Sequence, residues 1–183
     1  MTKFVWICMG VLLMSTLLSG SAHSDDFSGF DALTIARTGS FELDMTPSES
    51  LPLFTAPGEK LWISAWNPII LNGDGLEKGT AFVTTSHGHT TYWLVMDYDT
   101  HAKHALYVRV APGVDTGTVE VSIASNGSGG STVSVTYQLT ALSTAGNRNL
   151  ETSYSESSYA AMMEKWRTMI NDSRETIDKS FGR

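Results

Sequence analysis

The chain has 183 residues, of which 42% are hydrophobic and 17% charged, and its formal net charge is −7. This composition is too apolar for a disordered chain, and a single cysteine, Cys8, excludes a disulfide framework. An acidic chain without a basic run argues against nucleic acid or an anionic membrane as a partner. The length predicts one domain.

Residues 1–24 are typical of a secretory signal peptide. Lys3 precedes an apolar run from Phe4 to Leu18, and small residues follow as far as Ala22. The run is shorter than the roughly 20 residues that a permanent membrane helix needs. We therefore expect cleavage after Ala22 or Ser24, no stable membrane span after cleavage, and a periplasmic or extracellular protein. An uncleaved anchor is the alternative. Residues 25–38 show no sustained period and predict a leader of uncertain order.

The first predicted strand is Phe41–Met45, where apolar and polar residues alternate. A capping threonine, a proline and an acidic residue then predict a short helix over Thr46–Phe54. Pro57–Trp62 predicts a second short helix. The stretch from Trp66 to Gly75 is rich in turn residues and predicts a connecting loop.

Five further segments are rich in β-branched and aromatic residues, and turn residues separate them. They predict an antiparallel meander over Thr80–Ser86, Thr90–Tyr98, His104–Ala111, Thr118–Ala124 and Thr132–Leu142. Such a sheet needs a cover on one face.

The cover is predicted at the C-terminal end of the chain. Apolar residues recur there at helical spacing, namely Tyr159, Met162, Met163, Trp166 and Ile170. Asn147–Asp178 contains neither glycine nor proline. We expect one long amphipathic helix that packs on the sheet, with residues 172–183 as a frayed tail because the apolar stripe ends near Asn171.

Several short motifs lie along this order of elements. They are Phe41-x-Leu43-x-Met45-x-Pro47-x-Glu49, Gly58-Glu59-x-x-Trp62-x-x-x-Trp66-x-Pro68, Gly79-Thr80-x-Phe82, Tyr137-x-Leu139-Thr140 and Met163-x-x-Trp166. The set resembles the SRPBCC superfamily, the START and polyketide-cyclase type, and in particular its uncharacterised bacterial members. The resemblance implies an α+β helix-grip domain over residues 39–171, in which a curved antiparallel sheet wraps around a long C-terminal helix and two short helices follow the first strand.

The resemblance also implies an internal cavity that holds a hydrophobic molecule, such as a lipid, sterol, polyketide or aromatic compound. These proteins share no common catalytic set, so no catalytic residue and no cofactor is implied. Large rings with one polar atom suit such a pocket. The expected ligand-binding residues are Trp62, Trp66, Trp93, Tyr98, Tyr107, Arg109, Tyr137, Met163 and Trp166, with Trp62 and Trp66 at the cavity mouth. The competing interpretation of any one ring is an ordinary core residue.

Four histidines stand at ligand-like spacings, His87-x-His89 and His101-x-x-His104. The two pairs lie at opposite ends of one predicted strand, which places them too far apart for a shared metal ion. We therefore expect solvated turn histidines and no metal site.

Arg109 lies between apolar neighbours. On the concave face of the sheet it would need a carboxylate partner or an acidic ligand, whereas on the other face it would be solvated.

The sequence favours an exported, non-enzymatic binding module with a hydrophobic small molecule as its partner. One alternative is a cyclase or dehydratase type of enzyme that uses Glu77, Asp97, Tyr98 or Arg109 as acid, base or oxyanion stabiliser. Another is a structural domain with a filled core. A titratable residue with a shifted pKa inside the cavity would favour the enzyme, and an apolar lining would favour binding.

Overall fold

The structure is a computed structural model that describes residues 30–86 and 88–182. Its strands are β1 (Thr34–Leu43), β2 (Ile69–Asn72), β3 (Ala81–Ser86), β4 (His89–Asp99), β5 (His104–Ala111), β6 (Asp115–Ser125) and β7 (Ser131–Ala141). Its helices are α1 (Pro47–Ser50), α2 (Ala56–Glu59), α3 (Thr144–Ser153), α4 (Glu156–Asp172) and α5 (Arg174–Ser180), with a 3-10 turn at Leu51–Phe54. All seven strands form one antiparallel sheet in the order β1-β7-β6-β5-β4-β3-β2.

The predicted meander is confirmed, because β3 to β7 match the five predicted segments to within a few residues at each end. The alternation of side chains has the predicted consequence for burial. In β6, Val119, Val121 and Ile123 are buried, whereas Glu120 between them is exposed. One face of the sheet is therefore the core face, and the short helices and α4 cover it.

The short strand β2 lies in the stretch that the sequence predicts to be a connecting loop. It pairs with β3 at the edge of the sheet, and all four of its residues are exposed. An edge strand with no buried face has no alternation to reveal it, and Pro68 and Gly73 at its ends are loop signals. The prediction of a loop is therefore wrong for Ile69–Asn72.

Strand β1 begins at Thr34, which corrects both the predicted leader over residues 25–38 and the domain boundary at Gly39. The strand pairs with β7 along its whole length, from Thr34 opposite Thr140. The sequence signal is weak because Gly39 stands at an inward position. A Cβ atom there would lie 2.6 Å from Cγ of Met163, so glycine allows α4 to pack closely against β1.

The two short helices after β1 are confirmed. Thr46 and Glu49 form a capping box at the start of α1, and the Thr55 hydroxyl accepts a hydrogen bond from the Gly58 amide at the start of α2. Turn hydrogen bonds from Trp62 and Ile63 to the Glu59 carbonyl continue beyond the end of α2. The helices hold Glu59 and Trp66 near the core face of the sheet.

The predicted long C-terminal helix is divided into three helices. α3 ends near Tyr154, and the Ser155 hydroxyl accepts a hydrogen bond from the Ser158 amide at the start of α4. A second break at Ser173 separates α4 from α5. Serine at these positions competes for backbone hydrogen bonds and so favours a helix start over a helix interior. The absence of glycine and proline was therefore not enough to predict one continuous helix.

The prediction of a frayed tail over residues 172–183 is wrong, since most of this segment forms α5. Ile177 is fully buried, and the Arg174 guanidinium forms an ion pair with Asp178 at 2.9 Å. Ile177 continues the spacing of seven residues set by Met163 and Ile170, both of which are buried. The stripe was present in the sequence, but only one of its positions falls within the predicted tail.

Replacing Ile177 with alanine is expected to lower the free energy of unfolding by about 2 kcal/mol, because a buried side chain is truncated and leaves a cavity. Denaturant unfolding of the full chain measures this change. Thr176→Ala, at the exposed neighbouring position, is the control. An effect no larger than that of the control would show that α5 is not docked in solution.

The predicted signal peptide lies outside the described residues, as does His87. Within residues 30–86 and 88–182, no helix is long and apolar enough to cross a membrane.

Candidate functional site

A cavity of about 140 Å³ lies between the core face of the sheet, the short helices and α4. Most of its wall is aromatic or aliphatic. The aromatic lining comprises Phe54, Trp66, Phe82, Trp93, Tyr107, Tyr137 and Trp166, and Ala56, Ile63, Val119 and Val121 complete the apolar part. Two charged side chains, Glu59 and Arg109, also line the space. We call this space the inner cavity.

Six of the nine residues expected to bind a ligand line the inner cavity: Trp66, Trp93, Tyr107, Arg109, Tyr137 and Trp166. They come from β4, β5, β7, α4 and the turn after α2. The alternation of inward and outward side chains brings the strand residues to one face. Their role in binding a ligand stays a prediction.

Trp62, Tyr98 and Met163 do not line the inner cavity, which corrects their predicted place in the site. Trp62 is a core residue, because its ring packs on Trp166 at 5.5 Å between centroids and its indole N–H donates to the Leu53 carbonyl. The chain turns between Trp62 and Trp66, so the two rings do not share a wall. Only Trp66 of the pair is at the cavity.

Tyr98 and Met163 pack against the core outside the cavity lining. Tyr98 follows an irregularity in the pairing of β4 with β5 between Val95 and Asp97. This β-bulge shifts the alternation along β4 by one residue, so that Tyr98 pairs with buried Ala105 and packs against the core, outside the lining of the inner cavity. Met163 packs over Gly39 of β1, one turn before Trp166 on the same face of α4, and it does not reach the inner cavity.

Three of the five polar rings in the aromatic lining have their polar atom bonded to the protein. The Tyr107 hydroxyl donates to the Phe54 carbonyl at 2.8 Å, and the Trp66 indole N–H donates to the Ala56 carbonyl at 2.8 Å. The Trp93 indole N–H donates to the Thr84 hydroxyl at 3.0 Å. These bonds fix the orientation of the three rings, so that their polar tips are occupied by the protein.

Arg109 lies on the concave face, which decides between the two alternatives left by the sequence. Its side chain is 12% exposed and forms an ion pair with fully buried Asp115, with 3.0 Å between Nη2 and Oδ1. Its Nη1 donates to the Tyr154 hydroxyl at 3.0 Å, and its guanidinium carbon lies 5.5 Å from the centre of the Trp93 ring. The carboxylate partner that a buried arginine requires is therefore Asp115.

Glu59 is the charged residue of the cavity lining that the sequence did not predict. It ends α2, and its side chain is half-buried where it borders the inner cavity. Burial raises the pKa of its carboxyl from 4.5 to about 8, because the charged form has lost most of its water. Burial also raises the pKa of the Tyr107 and Tyr137 hydroxyls. At neutral pH the acid and both phenols are therefore predominantly uncharged.

The other acid and base candidates do not face the cavity. Glu77 is exposed in the loop before β3, and Asp97 accepts a hydrogen bond from His104 at 2.9 Å. His104 also bonds to Glu120 at 3.0 Å. It is therefore ion-paired at the sheet surface, which corrects its interpretation as a solvated turn histidine. Burial lowers the pKa of His104, but the two carboxylates outweigh this effect and raise it overall.

Among residues 30–86 and 88–182, no three histidine, cysteine, aspartate or glutamate side chains are placed to hold a metal ion.

Solved structures with the same fold come from plants and bacteria. Norcoclaurine synthase from Thalictrum flavum, in complex with dopamine and hydroxybenzaldehyde, superposes with a TM-score of 0.58 at 12% identity, over 94% of this chain and 98% of that one. Major latex-like protein 151 from Panax ginseng superposes with a TM-score of 0.57 at 13% identity, over 75% of this chain and 95% of that one. An uncharacterised protein from Rhizobium leguminosarum superposes with a TM-score of 0.55 at 12% identity, over 81% of this chain and 97% of that one.

No protein-family model matches the sequence, and no curated protein matches it. The identities to the solved structures are low, so this likeness concerns the fold and not the activity. The chain has the helix-grip fold of these solved structures, which confirms the fold that the sequence motifs predict.

Proposed function

We propose that this protein binds a compact, uncharged aromatic molecule in the inner cavity. The observation that carries the proposal is a cavity walled by seven aromatic rings, three of which have their polar tips bonded to the protein. Such a wall gains free energy by removing an apolar surface from water, and aromatic pairs add a geometric preference.

The size of the cavity limits the ligand. An apolar cavity of about 150 Å³ holds a molecule the size of benzene, and the inner cavity measures about 140 Å³. A lipid, sterol or polyketide exceeds this volume. Among the ligand types that the sequence resemblance implies, the volume therefore favours a single-ring aromatic compound.

Toluene is a suitable probe, because it is apolar and has one ring. We expect calorimetry at pH 7 to show one site per chain. Trp66→Ala is expected to weaken toluene binding at least tenfold, because removal of this ring opens the cavity wall to water. Tyr92→Ala is the matched control, since Tyr92 is aromatic but 49% exposed outside the cavity. Absence of toluene binding by the folded protein would favour the filled-core alternative.

A second candidate function is general acid–base catalysis on a ligand in the same cavity. The observation that favours it is the Glu59 carboxyl, whose pKa of about 8 lets it both take and return a proton near neutral pH. Phenylacetone in deuterated water provides the test, because the Glu59 carboxylate would remove a proton next to the carbonyl and return a deuteron. Deuterium incorporation at the same rate with wild-type protein and with Glu59→Gln would contradict catalysis by Glu59.

We further propose that the protein is exported and acts in the periplasm or outside the cell. The support is the sequence of residues 1–24, with a basic residue, a short apolar run and small residues at its end. Intact-mass measurement of protein from the periplasm or medium is expected to show loss of the residues up to Ala22 or Ser24. A mass that includes Met1 would indicate an anchored protein instead.

A further inference from the structure

The Tyr137 hydroxyl is a polar group of the inner cavity that the protein leaves unpaired. The side chain is 7% exposed and lines the cavity, yet its hydroxyl forms no hydrogen bond within the described part of the chain. It remains accessible to a molecule the size of water, since packing seals off only two unbonded side-chain atoms among these residues, Arg109 Nε and Asp115 Oδ1. A buried hydroxyl without a partner costs free energy and is rare in native structures.

The tyrosines that pack around Tyr137 are bonded to the protein. The rings of Tyr154 and Tyr159 lie against the Tyr137 ring, with centroids at 5.5 and 5.9 Å. The Tyr159 hydroxyl donates to the Val135 carbonyl at 2.9 Å, and the Tyr154 hydroxyl accepts a hydrogen bond from Arg109 at 3.0 Å. The position of the Tyr137 ring is therefore fixed by its neighbours, and its own hydroxyl is left for a ligand in the cavity.

Glu59 brings a second donor to the same space. Its side chain borders the inner cavity, and its carboxyl forms no hydrogen bond with the residues that the structure describes. Burial is the main cause of the raised pKa of the Tyr137 hydroxyl, and the charge of nearby Glu59 adds to it, so the two groups lie close together. Burial also raises the pKa of Glu59 to about 8. At pH 7 the carboxyl therefore keeps its proton and can donate it to a hydrogen bond.

These two groups determine which kind of polar atom the cavity can satisfy. A phenol and a protonated carboxyl each present one O–H donor, and a carbonyl oxygen has two lone pairs to accept them. A ligand carboxylate would place an unbalanced negative charge beside Glu59, and burial of such a charge is costly. The match is therefore a neutral carbonyl group.

We propose that the inner cavity selects a one-ring aromatic carbonyl compound, whose oxygen accepts a hydrogen bond from the Tyr137 hydroxyl. This deepens the proposed function and rests on it. The ring of the ligand packs among the aromatic side chains of the wall, and the Glu59 carboxyl donates a second hydrogen bond to the same oxygen. Tyr137 thereby determines specificity, whereas the apolar wall provides binding.

Two ligands of the same shape isolate this hydrogen bond. Acetophenone has one ring and a carbonyl oxygen, and α-methylstyrene has a methylene group in place of that oxygen. Water solvates the two ligands differently, so each is compared between wild type and variant by calorimetry at pH 7. Tyr137→Phe is expected to weaken acetophenone binding at least fivefold, the size of effect that one hydrogen bond gives, and to change α-methylstyrene binding less than twofold. Acetophenone should also displace toluene from a single site.

Tyr107→Phe is the matched control, because the Tyr107 hydroxyl borders the same cavity but already donates to the Phe54 carbonyl. We expect it to change the binding of both ligands by the same factor. Unfolding in urea separates the two variants as well. Tyr107→Phe should unfold at a lower urea concentration than the wild type, whereas Tyr137→Phe removes a hydroxyl without a partner and should unfold at the same concentration or a higher one.

Each result decides for or against the role of Tyr137. Equal weakening of both ligands by Tyr137→Phe, or acetophenone binding that does not compete with toluene, would overturn it and leave toluene binding in the inner cavity intact. A Tyr137→Phe variant that unfolds at a clearly lower urea concentration, or does not fold, would overturn it too, because its hydroxyl would then be bonded within the protein. Failure of the folded wild-type protein to bind toluene would overturn the proposed function, and this inference with it.

Discussion

Replacing Glu59 with glutamine is expected to remove most of a large loss of stability that the wild-type protein suffers as the pH rises. The carboxyl has a pKa of about 8 in the folded chain and of 4.5 as an ordinary glutamate. One pKa unit corresponds to about 1.4 kcal/mol. The shift of Glu59 therefore amounts to several kcal/mol, which is a substantial part of the stability of a domain of this size.

The direction of this change in stability with pH follows from proton binding. Between pH 4.5 and pH 8 the folded chain holds a proton on Glu59 that the unfolded chain has lost. The stabilising contribution of the protonated carboxyl is therefore complete below pH 4.5 and is lost as the pH rises to about 8. Glutamine resembles the protonated acid in shape and never ionises, so Glu59→Gln should be more stable than the wild type at pH 9.

Denaturant unfolding at pH 5 and pH 9 measures this difference. The free energy of unfolding of Glu59→Gln should change less between the two values than that of the wild type. Glu77→Gln is the matched control, because Glu77 is exposed in a loop. Toluene binding should also weaken above pH 8 in the wild type only, since a charged carboxylate brings water into the cavity. Parallel pH profiles for wild type and Glu59→Gln would contradict the burial of this group.

Replacing Trp166 with alanine is expected to lower the free energy of unfolding by about 3 kcal/mol. Its ring joins α4 to the short helices, with centroids 5.5 Å from Trp62 and 6.5 Å from Phe54. The rest of the ring faces the inner cavity, so the side chain is half-buried and the loss should be at the lower end for a large aromatic residue.

Chemical unfolding followed by far-ultraviolet circular dichroism measures the loss, because the tryptophan signal itself changes in this variant. Lys165→Ala is the control for helix propensity, since Lys165 is the exposed neighbour of Trp166 on α4. A destabilisation equal to that of Lys165→Ala would mean that α4 does not pack on the short helices as described.

The sheet could be predicted from sequence because its strands alternate between a buried and an exposed face. Val133 and Val135 of β7 are fully buried and Ser134 between them is not, so the period of two is visible. Where a strand lacks this alternation, the sequence does not reveal it. β2 has no buried face, and the early part of β1 has Gly39 at an inward position.

The candidate site was predictable only where it depends on this alternation. Trp93, Tyr107 and Tyr137 face the cavity because their strands keep the regular period. Tyr98 reaches the core face only because a bulge precedes it, and it packs on the core outside the cavity lining. Glu59 carries no local signal, since an acidic residue in a first helical turn is ordinary. Its environment comes from strands that follow it by more than 20 residues, and the volume of the cavity depends on the same distant contacts.

Methyl NMR during a toluene titration tests the central claim most directly, because it reports where the ligand lies. The account predicts saturable shifts for the methyl groups of Ile63, Val119 and Val121, which line the inner cavity. The methyl groups of Leu150 and Ile177, which are buried elsewhere, should not shift. Shifts centred on Leu150 and Ile177, or no saturable shift at all in the folded protein, would contradict a ligand site in this cavity.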